Sequence, residues 1–208
     1  IFKALKERVT FIEIVRHPLY QIIQHYSNTR DMYNNDPRDT TMSYRSVTTE
    51  VVPYFVKEYE EQWIQGNAMD KAILSMYYWE KQAQHILSKR EIIKEKTIVI
   101  PFENFVLKPD RYLREIESAL GITRTQLVKK ELKKQKVPRK KVSDGIPLAI
   151  YKRCGWEEPE HSLSEVEELD KRRQFAVEHG ASDKALEVLS KLSADYESKY
   201  YKISEGKL

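Results

Sequence analysis

Hydrophobic and polar positions follow two different periods along this chain. Residues 9 to 15, VTFIEIV, are apolar on both faces apart from Glu13, the pattern of a parallel strand buried within a sheet. Pro18 then stands where a helix would open. Leu19, Ile22, Ile23 and Tyr26 follow at i, i+3, i+4 and i+7, which predicts an amphipathic helix. Arg16 therefore occupies a strand-to-helix junction.

Residues 31 to 44 are polar and rich in turn formers, and read as a surface loop. Residues 45 to 65 bring Val51, Val52, Phe55, Tyr59 and Trp63 near one face of an expected helix, with Pro53 disturbing its first half. After Gly66-Asn67, a long helix is expected over 68 to 90 through Ile73, Leu74, Tyr77, Tyr78, Ala83 and Ile86. TIVIP, residues 97 to 101, reads as a second short buried strand. Pro109 marks a further helix start, Leu113, Ile116 and Leu120 form its stripe, and Gly121 is suited to end it. Thr123 with Gln126, and Ser162 with Glu165, have capping-box spacing. Residues 136 to 158 read as a long irregular loop, a class often used for function. Two helices are expected over about 163 to 179 and 182 to 200, broken by Gly180. The order strand, helices, strand, helices indicates an α/β fold with few strands. Two strands make a poor sheet on their own, and the chain opens on Ile1, so further strands are expected upstream.

With 208 residues, 40% hydrophobic and 33% charged, the chain fits one globular domain, expected to span 1 to 208. No apolar run is long enough to span a membrane. The single cysteine, Cys154, excludes an intramolecular disulfide and a cysteine-based metal site, and a cytoplasmic location is the simpler expectation. The net charge of +4 is mild but unevenly spread. Residues 129 to 141, KKELKKQKVPRKK, hold eight basic residues and one Glu, whereas 157 to 170 are strongly acidic. The basic block suits either phosphate groups or a solvated helix face.

Ligands of open α/β sheets bind outside the carboxyl ends of the strands, where Arg16 would project. Its guanidinium fork matches a phosphate, and a following helix adds N–H groups and a positive dipole end. The competing explanation is a carboxylate partner at the sheet edge. The stretch FIEIVRHPLYQIIQHYSN resembles the 3′-phosphate-binding motif of sulfotransferases that use 3′-phosphoadenosine 5′-phosphosulfate, in which a buried strand ends in Val-Arg-x-Pro. The resemblance implies that Arg16 holds the 3′-phosphate. The family's assisting serine falls on Gln24, with Ser27 three residues later.

TIVIPFENFVLKPDRYLREIESALGI, residues 97 to 122, is similar to the family's late strand with its Tyr-Glu-Asp-Leu tetrad and following helix; Phe102 to Phe105 stand for the tetrad, and Glu103 for a structural glutamate. PRKKVSDG, with Arg139, Lys140 and Lys141, resembles the family's basic loop over the 3′-phosphate. A competing alignment uses YKRCGW, with Arg153 and Trp156. The implied fold is a P-loop-NTPase-like parallel sheet with flanking helices.

The family's 5′-phosphosulfate loop and its catalytic base precede the Val-Arg-x-Pro motif. Neither has a counterpart here, so no catalytic residue is assigned and the chain alone is expected to be inactive. The resemblance implies transfer of a sulfuryl group to an acceptor hydroxyl or amine of a carbohydrate or other small molecule, without a metal. Aromatics within residues 31 to 90, including Tyr44, Trp63, Tyr77, Tyr78 and Trp79, fall where the family shapes its acceptor site, and suit core packing equally. His17 and His25 are expected to have local or surface roles. Two other readings stay open: another P-loop-type nucleotide-binding protein such as a kinase, or a non-catalytic helical module whose basic patch binds phosphate or nucleic acid. No nucleic acid is expected under the sulfotransferase reading.

Overall fold

The computed structural model describes residues 9–32, 43–47, 51–144, 152 and 162–201. Helices dominate, with a small parallel sheet, so the chain is α/β. No described helix is long and apolar enough to cross a membrane. The chain divides into two compact units: residues 1–16, 92–168 and 200–208 in the first, and 17–91 and 169–199 in the second.

The first unit is built on two strands, β1 (Phe11–Val15) and β4 (Thr97–Pro101), which pair in parallel with Phe11 opposite Thr97 and Val15 opposite Pro101. Both strands lie where β-branched residues concentrate. The expected burial of both faces of β1 does not hold. Ile12 and Ile14 are 45% and 66% exposed, whereas Phe11, Glu13 and Val15 are half-buried. Sheet burial follows what packs on each face, and nothing among the described residues covers the isoleucine face. Burial pushes the Glu13 carboxyl above its ordinary range.

Helix α5 (Phe102–Leu107) leaves β4 directly, and α6 (Asp110–Leu120) follows. Ile98, Ile100 and Tyr112 form a core cluster beneath Phe105 and Ile116. Gly121 ends α6 in the left-handed conformation, with φ 63° and ψ 33°, as its position suggested. Helix α7 (Gln126–Lys134) follows, with Thr125 rather than Thr123 as its N-cap and no side-chain capping bond. Its lysines 129, 130, 133 and 134 are exposed.

In the second unit α1 (Pro18–Met32), α3 (Ala68–Lys89) and α9 (Asp183–Lys199) pack on one another. The interior includes Leu19, Ile22, Met69, Ile73, Leu189 and Leu192. The helix expected over 45 to 65 holds only from Tyr54 onward, as two short pieces, and its first half is not helical. Instead, β2 (Ser43–Arg45) pairs antiparallel with β3 (Val51–Pro53), a 3₁₀ helix covers Tyr54–Tyr59, and α2 covers Glu60–Gln65. Paired Val51 and Val52 favour extended backbone, and Pro53 sits at the strand end, where its missing N–H costs nothing. Val52, Val56, Trp63, Leu74 and Tyr78 close a core cluster there. Helix α3 is followed by a short α4 (Glu91–Glu95) belonging to the first unit from Ile92 onward.

Asn67 caps α3 through its side-chain oxygen, which accepts from the N–H groups of Met69 and Asp70 at 2.9 Å each. Its amide donates to the Gly180 carbonyl at 2.6 Å, in the turn between α8 (Glu165–Glu178) and α9. Ser164 with Glu167, two residues beyond the expected pair, makes the capping box of α8: the Ser164 N–H and O–H each reach the Glu167 carboxylate at 2.7 Å. Residues 33–42, most of the expected polar loop, lie outside the described residues, as do 145–151 and 153–158 of the longer one, with Arg153, Cys154 and Trp156.

Candidate functional site: two guanidiniums at the end of the parallel pair

The register of the sheet sets the geometry of the first unit's site. Because Val15 is opposite Pro101, the next residues, Arg16 and Phe102, leave the sheet at the same edge. The Arg16 guanidinium lies over the Phe102 ring, 4.8 Å from its centroid. Its Nε is 4.0 Å from Glu103 Oε1, and Glu103 is fully buried while Arg16 keeps 30% of its side chain exposed. Arg16 thus has the carboxylate partner that the alternative explanation required, and still reaches the surface.

Arg139 arrives from the basic loop. Its N–H donates to the Val106 carbonyl of α5 at 2.7 Å, which ties the loop to the helix after β4. Its guanidinium also stands over the Phe102 ring, 5.7 Å from the centroid, and donates from Nη1 to the Val142 carbonyl at 2.8 Å. The Arg139 Nε is buried with no hydrogen-bond partner. Burial first and the neighbouring Arg16 second push Arg139 below its usual range, and Asp144 opposes them. The two guanidiniums are close enough to repel, which an added anion would relieve.

Lys140 and Lys141 contribute differently. Their backbone N–H groups donate to Asp144 Oδ2 at 3.1 and 2.9 Å, closing the turn that carries Arg139. The Lys141 ammonium donates to the Leu163 carbonyl at 2.9 Å, and the Lys140 ammonium is exposed. Asp144 is thereby committed to its turn. Of the sequence candidates, Arg16 and Arg139 meet in the first unit.

Gln24 belongs to the second unit, on α1. The free N–H groups expected at the start of that helix are taken. Pro18 has none, the Leu19 N–H donates to His17 Nδ1 at 3.2 Å, and the Tyr20 N–H donates to the His17 carbonyl at 3.0 Å. His17 is fully buried and caps α1. Since Nδ1 accepts, the proton sits on Nε2, which donates to Glu197 of α9 at 3.0 Å. The His17 ring also meets Tyr196 edge-on at 5.4 Å. Its role is local, as expected. The N–H groups of Leu19 and Tyr20 are therefore committed to His17.

Two further concavities flank different chemistry. In the first unit, a cleft of about 580 Å³ is lined by Lys108, Arg111, Arg114 and Lys129, with Asp110 bound to Arg124 at 2.8 Å. In the second unit, a cavity of about 330 Å³ is lined by Gln24 and other side chains, and among the described residues of that lining none is acidic and none is a lysine or arginine. The sequence reading missed this cavity. Its signal is the polar set Gln21, Gln24, His25 and Asn28, at i, i+3, i+4 and i+7 on α1, which in sequence reads as a solvated face. Among the described residues no group of His, Cys, Asp or Glu is arranged to hold a metal ion.

No family model, curated protein or solved structure matches the chain.

Proposed function

We propose that this chain grips the 3′ end of 3′-phosphoadenosine 5′-phosphosulfate as part of a sulfotransferase with a P-loop-like parallel sheet. One observation carries the reading. Arg16 and Arg139 were each assigned to the 3′-phosphate from separate motifs, and their guanidiniums stand over the same Phe102 ring, at 4.8 and 5.7 Å. A phosphate would neutralise their mutual repulsion and satisfy the buried Arg139 Nε. Glu103 orients Arg16 from below rather than competing for all its donors, because the guanidinium has five N–H groups.

The reaction moves the sulfuryl group from the donor's phosphate oxygen to an acceptor oxygen or nitrogen. The new S–O or S–N bond forms as the old S–O bond breaks, adenosine 3′,5′-bisphosphate leaves, and the acceptor gives up its proton. Positioning and electrostatic stabilisation carry such a transfer, by analogy with phosphoryl groups. Arg16 and Arg139 serve it by fixing the nucleotide.

The test is calorimetric titration of adenosine 3′,5′-bisphosphate against 5′-AMP. A tenfold or greater preference for the bisphosphate is expected, lost in both Arg16→Ala and Arg139→Ala. Equal binding of both nucleotides, indifferent to either substitution, would leave Arg16 as a structural partner of Glu103 and end the reading.

A further inference from the structure

The cavity of the second unit differs in kind from the cationic grip of the first. It is walled on one side by the polar stripe of α1 and on the other by Phe55, Trp63 and Trp79. In a chain with one third of its residues charged, none of the described lining residues is Lys, Arg, Asp or Glu, so the described wall offers an ion no opposite charge. Burial pushes His25 below its ordinary range, so its ring is neutral near pH 7 and offers one donor and one acceptor. Lys71 rests its ammonium 4.8 Å from the Trp63 ring and is not part of the lining.

The hydrogen-bonding groups of the lining divide into those already engaged and those left over. The Thr29 hydroxyl donates to the His25 carbonyl at 2.8 Å, and Ser75 accepts from the Trp63 indole at 3.2 Å. The side chains of Gln24, His25 and Asn28 make no hydrogen bond among the described residues. Each of these three both donates and accepts. An anion would meet acceptors with no compensating charge, and a cation would meet donors with none. A purely apolar ligand would strand the amides, at about 1–3 kcal/mol for each polar group buried without a partner.

What remains is a neutral ligand whose groups both donate and accept, with an apolar face for the aromatic wall. Trp79 is 60% exposed, and Phe55 meets it edge-to-face at 5.3 Å, which holds the indole plane. A pyranose has this combination: hydroxyls around its rim and C–H groups on its faces. The volume lies at the small end of the ~300–1,000 Å³ range of small-ligand sites, enough for one or two sugar rings.

We infer that the cavity between α1 and the Phe55–Trp79 wall binds a neutral saccharide, with Gln24, His25 and Asn28 reading its hydroxyls and Trp79 packing on its C–H face. That the saccharide is the sulfuryl acceptor rests on the sulfotransferase reading; that the cavity binds it does not.

The experiment is ligand-observed saturation-transfer NMR on the whole chain with methyl β-glucoside, N-acetylglucosamine and lactose, with glucuronic acid, phenol and adenosine as counter-ligands. Variants are Trp79→Ala and Asn28→Leu, both at exposed positions, with circular dichroism to verify folding, and Arg16→Ala as a control in the other unit. Saturable binding of a neutral sugar is expected, at least tenfold weaker in both cavity variants, unchanged in Arg16→Ala and stronger than binding of glucuronic acid. Failure of all three sugars to bind, indifference to both cavity variants, or preference for glucuronic acid, phenol or adenosine would overturn the inference. Sugar binding without a bisphosphate preference would remove only the sulfotransferase reading, and the reverse pattern would remove only the saccharide.

Discussion

Replacing Arg16 tests two roles of one side chain. Its ion pair with Glu103 predicts a stability loss in Arg16→Ala of about 1–3 kcal/mol, because a buried carboxylate loses a cationic neighbour. Adding Glu103→Gln should restore part of that loss without restoring nucleotide affinity. Urea unfolding of the single and double variants checks the first point, and calorimetry the second. Lys71 gives a pH-dependent counterpart. Burial holds its ammonium down to about 8, below its ordinary 10.5. The unfolded chain therefore binds more protons between these values, and the folded state gains stability as pH rises through them. Lys71→Met should accordingly be more stable than the parent by on the order of 2 kcal/mol near pH 7, with the advantage shrinking toward about pH 10. Denaturant midpoints of both proteins at the two pH values measure it. At this scale the sequence revealed candidates better than partners. Arg16 and Arg139 stood out by their motifs, but that Glu103 is the carboxylate under Arg16 depends on a contact made across the sheet.

Elements were legible where one local signal dominated. The strand 97–101 and the helix 68–89 agree with their apolar patterns, and the glycine at 121 ends its helix as its position required. That glycine has φ 63° with open space where a Cβ would sit. Gly121→Ala should therefore cost about 1 kcal/mol from backbone strain alone, and Gly121→Asn less, since asparagine tolerates the left-handed region; thermal melting of the three proteins ranks them. Residues 45–65 were misread because Val52, Val56 and Trp63 are buried together by tertiary packing, a spacing that a helix would also explain. The caps shifted by two residues because Thr123 and Thr125, and Ser162 and Ser164, offer the same chemistry twice, and backbone geometry chooses between them. The cavity stripe on α1 escaped notice because amides at helical spacing look the same whether they face water or a wall of tryptophan.

For the whole molecule, the two units predict separate footprints. In hydrogen exchange, adenosine 3′,5′-bisphosphate is expected to protect α5 and residues 139–144, whereas N-acetylglucosamine is expected to protect α1 and the segment 53–63. Protection of the same amides by both ligands would contradict the assignment of one ligand to each unit. The parallel pairing of β1 with β4 has a consequence for how such a protein can change. Because Val15 faces Pro101, the residues that follow them meet whatever the chain does in between. The stretch from His17 to Glu91 lies wholly in the other unit. A graft that exchanges this stretch for a foreign one, keeping both strands, is expected to leave the Arg16–Arg139 pair of the first unit in place while altering the cavity of the second, so that under the proposed reading the ligands of the two units can diversify independently.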